Sequence, residues 1–165
     1  MRNRVGDWLM SNLIMMVGCP ASGKSTVAKN FATSSTYGGL YVSRDVIRFS
    51  MVKEDEEYFS KEDEVFEKFV ETIQEGLITN ERVYVDATNL NERSRNKVLD
   101  KLNLDNVDLY AIVMKTPLEE CLRRNALREG RECVPESAVR RMFLSMTNPR
   151  GDQKYRYKEV YDINA

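Results

Sequence analysis

Reactive potential is concentrated in Gly18-Cys19-Pro20-Ala21-Ser22-Gly23-Lys24-Ser25-Thr26, which satisfy G-x-x-x-x-G-K-[ST] and follow the apolar run Leu13-Ile14-Met15-Met16-Val17. Glycines at such a corner let the backbone wrap with its N–H groups turned inward. The helical pattern that follows, Val27, Ala28 and Phe31, adds the positive end of a helix. This suits the cradling of a triphosphate by residues 18–26. Lys24 would reach the β and γ phosphates, and Ser25 would offer an oxygen to Mg²⁺. The glycine spacing is not the G-x-G-x-x-G of a dinucleotide site. Nothing nearby in the sequence marks Cys19 as a nucleophile.

Three further groups follow apolar runs, where the ligands of parallel sheets sit. Ser43-Arg44-Asp45-Val46-Ile47-Arg48 offers a carboxylate with an arginine one turn later. Asp45 could take a proton from an attacking hydroxyl, or it could simply cap a helix beginning at Val46. Asp86-Ala87-Thr88-Asn89 closes a second apolar run. Asp86 could hold Mg²⁺ through water, or hydrogen-bond the backbone of the glycine loop. Arg124 and Arg128 are four residues apart and share a helix face, with Arg123 turned about 100° away. As a pair they could neutralise charge on a transferred phosphoryl group, or they could be solvated helix arginines.

These residues need a scaffold, and the pattern of the chain supplies one. Apolar or β-rich runs at 13–17, 40–43, 83–86 and 109–115 alternate with helical periodicity, which predicts an α/β fold with a small parallel sheet covered on both faces by helices. A last run at Val160-Tyr161-Asp162-Ile163 adds a terminal strand. Val65, Phe66, Phe69, Val70, Ile73 and Leu77 trace one helix face, and Val139, Met142, Phe143 and Met146 another. Thr116-Pro117-Leu118-Glu119 reads as a helix start with threonine as N-cap and a capping box, running to about Glu129. The acidic stretch 53–64 reads as a solvated loop and helix start.

Bulk properties narrow the classes. A chain of 165 residues with 42% hydrophobic and 31% charged residues is expected to form a single domain over 1–165, with residues 1–12, including Trp8, as an extension. No run is apolar enough to cross a membrane and no signal peptide opens the chain, so the cytoplasm is expected. Three cysteines without metal spacing and no histidine exclude structural zinc and histidine catalysis. A net charge of −1 gives no global field for a polyanion, so any nucleic acid must be gripped locally. A homo-oligomer is allowed but not required.

Taken together, "GCPASGKST", "SRDVIR", "DATNLN" and "CLRRNALREGRECVP" resemble the kinase domain of bacteriophage polynucleotide kinase and its relatives in bacterial RNA-repair enzymes, over roughly Ile14 to Met146. The resemblance implies a P-loop kinase fold with a helical lid over about 124–135. It also implies ATP and Mg²⁺ as cofactors and the 5′-hydroxyl end of DNA or RNA as acceptor. By position, Lys24 and Ser25 would bind ATP·Mg²⁺, and Asp45 would be the general base. Arg44, Arg48, Asp86, Thr88 and Asn89 would serve the acceptor, with Arg48 on its phosphate. Arg124 and Arg128 would clamp the donor, and Lys24 and Arg128 would join Asp45 in catalysis. In the phage enzyme an acid directly precedes the Thr-Asn pair, whereas here Ala87 intervenes. That enzyme also continues into a phosphatase domain, so 5′ phosphorylation without 3′ phosphate removal is expected here. Two rivals are a P-loop kinase acting on a hydroxyl of a small molecule, such as a sugar, nucleotide-sugar or antibiotic, and an ATP-hydrolysing switch.

Overall fold

Burial on both faces is what the central strand demands of its neighbours. In the computed structural model, which describes residues 10–164, β1 (Ser11–Val17) is an apolar strand with Leu13, Met15, Met16 and Val17 fully buried. It is flanked by β3 (Arg82–Asp86) and β4 (Val107–Met114), with β2 (Leu40–Ser43) and β5 (Glu159–Ile163) at the edges. The order is β2-β3-β1-β4-β5, and every pairing is parallel. Parallel neighbours need crossovers, and the helical segments supply them. These are α1 (Lys24–Thr33), α2 (Arg44–Met51), α3 (Glu62–Thr79), α4 (Glu92–Leu99), α5 (Leu118–Ala126) and α6 (Glu136–Leu144).

Alternation along the strands separates two cores. Leu13, Met15 and Val17 meet Phe69, Ile73 and Leu77 of α3 and Val98 and Leu99 of α4. Ile14, Met16 and Tyr84 meet Ala28, Val27 and Phe31 of α1 on the other face. A third cluster, Cys19, Leu90, Cys121 and Val139, lies where the glycine loop meets α5 and α6. The α/β fold with its parallel sheet is therefore the one read from the apolar runs, including the terminal strand.

Some boundaries differ from expectation. Ser11 and Asn12, assigned to the N-terminal extension, belong to β1, while Trp8 lies outside the described residues. Thr116 does not cap α5: the N-cap is Pro117, and the Thr116 hydroxyl instead donates to the Ser22 carbonyl at 2.6 Å. That helix stops at Ala126 rather than near Glu129. Its last buried residue, Asn125, donates to the Val134 carbonyl and accepts from the Val134 N–H, which folds the chain back into a loop. Arg124 and Arg128 therefore do not share one continuous helix.

Candidate active site

The corner between β1 and α1 is built by backbone conformations that few residues adopt. Gly23 has φ 93° and Ala21 φ 64°, and a side chain on Gly18 would meet Ser22 Oγ at 2.5 Å. The loop is held from outside by Thr116 on the Ser22 carbonyl and by the Gly18 N–H on the Thr88 carbonyl. Inside it, Ser22 Oγ is buried without a hydrogen-bond partner. Lys24 is buried with only a long bond of 3.4 Å to the Cys19 carbonyl. An orphaned hydroxyl and a weakly held ammonium in one anion-shaped loop fit a phosphate chain. Burial pushes the Lys24 ammonium below its ordinary range. Asp86 and Asp45 oppose this by their charge, and Arg128 adds to it. The residues that surround this lysine electrostatically thus come from the ends of β2 and β3 and from the loop after α5.

Asp86 is buried at the end of β3, and its Oδ2 accepts from the Ser25 hydroxyl at 2.6 Å and from the Tyr41 hydroxyl in a short bond. Its tie to the glycine loop is through a side chain, not the loop backbone. Burial, then the hydrogen bond to Asp86, pushes the Tyr41 phenol up to about 12, so Tyr41 stays a donor that fixes the carboxylate. Ser25 and Asp86 are adjacent hard oxygens of the kind Mg²⁺ takes alongside water and phosphate. Among the described residues no cluster of three or more acidic, cysteine or histidine side chains could hold a metal without a substrate's help.

Ser43 caps α2, its hydroxyl accepting from the Val46 N–H. The capping role considered for Asp45 thus falls to Ser43, and Asp45 stands in the first helical turn with its side chain 64% exposed. Its Oδ1 accepts from Arg48 Nη1 at 2.5 Å and from the Tyr58 hydroxyl at 3.2 Å. Arg48 itself is buried and forks onto Glu62 through Nε at 3.1 Å and Nη2 at 2.9 Å. Arg44 Nη2 reaches the same Glu62 Oε1 at 2.5 Å. Burial alone would raise the Glu62 carboxyl, but hydrogen bonds from Arg48 and the charges of both arginines hold it below its ordinary range. Glu62 comes from the acidic stretch read as solvated, yet its carboxylate is turned inward. Glu62, Tyr58 and Tyr41 are the site residues that the sequence reading missed. Their signal, an acidic residue one helical turn before an apolar stripe and two ordinary tyrosines, is too common to stand out.

Asn89 is buried at φ 46°, with its amide donating to the Met16 carbonyl at 2.8 Å, and Thr88 offers its carbonyl to the loop. Both serve as ties between β3 and β1 in this arrangement. Arg124 Nε donates to Glu120 at 2.7 Å, and the exposed Arg128 makes one long bond of 3.5 Å to the Glu132 carbonyl. Cys19 and Cys121 lie with sulfurs 3.1 Å apart, and burial, then the contact with Cys121, pushes the Cys19 thiol up to about 12. A buried, protonated thiol is packing, not a nucleophile.

Comparison with known proteins bears on the family and the fold. The chain is 27% identical over 142 residues to the L-seryl-tRNA(Sec) kinase of Methanococcus maripaludis, covering 83% of this chain and 53% of that protein. The chain thus spans about half the length of that relative. A chain in the structure of the Pnkp1/Rnl/Hen1 RNA repair complex superposes with a TM-score of 0.67 at 26% identity, covering 82% of this chain and 44% of that one. A gluconokinase from Sinorhizobium meliloti 1021 shares the fold, with a TM-score of 0.56 at 20% identity over 95% of this chain and 83% of its own. The sequence model of the AAA domain family matches residues 13–149, from the first core residue of β1 to beyond α6. Because that match takes in the glycine loop, the ends of β2 and β3 and the arginine-bearing loop alike, this chain belongs to the AAA domain family.

Proposed function

We propose that this chain transfers the γ-phosphoryl group of ATP to the 5′-hydroxyl end of a polynucleotide. The observation that carries the reading is Asp45: an exposed carboxylate, held by Arg48 and Tyr58, within the electrostatic surroundings of Lys24. A carboxylate so held can align a hydroxyl for in-line attack and accept its proton. On the donor side, the loop from Gly18 to Thr26 binds the phosphates and Lys24 counters their charge. Arg124 and Arg128 close from the lid, and Ser25 with Asp86 would hold Mg²⁺, which supplies charge neutralisation at the β and γ phosphates. On the acceptor side, Arg44 and Arg48 would meet the terminal nucleotide's phosphate, exchanging part of their bonding to Glu62. The names of two relatives, a seryl-tRNA kinase and an RNA repair complex, favour an RNA acceptor. We read residues 1–165 as one domain with this activity.

A second reading is favoured by Glu62. Its carboxylate already answers both Arg44 and Arg48, which suits a neutral alcohol of small size as well as a phosphate-bearing end. The experiment that separates the two is transfer of labelled γ-phosphate from ATP with Mg²⁺ to 5′-hydroxyl DNA and RNA oligonucleotides, against a no-acceptor control and a panel of small alcohols. Labelled oligonucleotide is the expected result. Labelled sugar or nucleotide-sugar with bare oligonucleotide would replace it with the second reading, and ATP hydrolysis alone would leave a switch.

A further inference from the structure

The lid and the helix that bears Asp45 meet at a residue with no role in the reading above. Gly130, at φ 58°, turns the chain through the left-handed region that other residues adopt only with strain. The turn Gly130–Glu132 then carries Arg131 to the far end of α2. Arg131 Nη1 donates to the Val52 carbonyl at 2.8 Å and to the Lys53 carbonyl at 3.3 Å. Its guanidinium lies 4.7 Å from the centre of the Phe49 ring. Val52 is the C-cap of α2. Terminal carbonyls of a helix lack partners within it and carry its negative end, so a cation that donates to them there is favoured twice. The aromatic face adds a third attraction, which the flat guanidinium meets while Nη1 serves both carbonyls.

At its other end the same helix carries Asp45 and Arg48. An eight-residue helix is a short rigid rod of about 12 Å, so a displacement of its C-terminus is felt at Asp45. Arg131 follows Arg128 by three residues, in the loop that Asn125 and Val134 close at its base. We propose that Arg131 is a positioning residue that couples closure of the lid on the donor to placement of the Asp45 carboxylate. Closure drawn by the triphosphate through Arg128 locks Arg131 in the place it already holds on the end of α2 and stiffens that helix. By reciprocity, an acceptor that orders α2 tightens the hold on the donor by the same factor. The catalytic consequence rests on the kinase reading given above; the coupling of lid to α2 does not.

The test uses the full chain and a non-hydrolysable ATP analogue with Mg²⁺, and reads hydrogen exchange of the backbone over 44–53. In the unmodified protein the analogue is expected to slow exchange at the C-terminal half of α2 by about tenfold, within the range of ordinary coupling energies. Arg131→Ala should abolish that slowing while binding the analogue, Arg131→Lys should keep part of it, and Phe49→Leu should reduce it with every backbone bond intact. Equal slowing in Arg131→Ala, or none in the unmodified protein, overturns the proposal. Should Arg131→Ala not fold, Arg131→Lys and Phe49→Leu decide alone, and slowing unchanged in both overturns it. With whichever acceptor the unmodified protein phosphorylates, Arg131→Ala should raise the acceptor KM by about tenfold, with a smaller effect on kcat at saturation. Absence of oligonucleotide phosphorylation would count against the polynucleotide reading only, because the exchange measurement needs no acceptor.

Discussion

Asp45 is the residue on which the functional reading turns, because its carboxylate is both accessible and oriented. Replacing it with alanine should lower phosphoryl transfer by about 10² to 10⁴, the usual contribution of a general base, while a fluorescent ATP analogue binds with nearly unchanged affinity. An active Asp45→Ala would remove the general-base assignment. Arg48 is different in kind, since it is buried and bridges Asp45 to Glu62. Arg48→Ala should therefore raise the acceptor KM more than the donor KM. Glu62 gives a pH signature. Its carboxyl titrates below its ordinary 4.5 in the folded chain, so the stability it adds is present above that value and is lost as pH falls through the lowered one. Urea unfolding between about pH 6 and pH 3 should show the stability gap between the unmodified protein and Glu62→Gln narrowing as acid is added.

At the scale of elements, short segments at the ends of strands decide how the loops meet. Thr116 leaves the end of β4 and reaches the glycine loop through one buried bond to the Ser22 carbonyl. Thr116→Val keeps the shape and removes the donor, which should cost about 1–3 kcal/mol of stability because a buried carbonyl loses its partner. Thermal unfolding with and without ATP analogue would measure this, and an unchanged midpoint would mean that the bond contributes nothing to the loop. The strand ends themselves were legible in the sequence, because apolar runs bounded by polar residues are a local signal. The end of α5 was not. The pairing that stops it joins Asn125 to Val134 across a loop, and no periodicity announces it.

Across the whole molecule, one ion pair joins parts of the chain that the sequence keeps far apart. Arg95 of α4 is fully buried and forks onto Asp152, with Nε at 2.7 Å and Nη2 at 2.6 Å. It also donates to the carbonyls of Asn89 and Thr147 and to the Thr147 hydroxyl. The pair therefore pins the loop after β3 to the chain beyond α6. Arg95→Ala should cost about 3–5 kcal/mol, because Asp152 would be left charged and unpaired in the interior. A loss below about 1 kcal/mol in urea unfolding would show that the pair is not a structural anchor.

Read alone, the order of amino acids specifies the sheet, the glycine loop and the candidacy of Lys24, Asp45 and Asp86. Strand runs, helix periodicity and the P-loop pattern are all carried by neighbours within a few residues. Which partners such residues take is settled by the folded path: Tyr41 on Asp86, Glu62 on Arg44 and Arg48, Ser43 rather than Asp45 as cap, Arg95 on Asp152 and Arg131 on the end of α2. Of these, all but the cap are side-chain contacts across ten or more residues of chain. Their strength depends on burial and angle, which are properties of the folded path and leave no local mark in the order of amino acids.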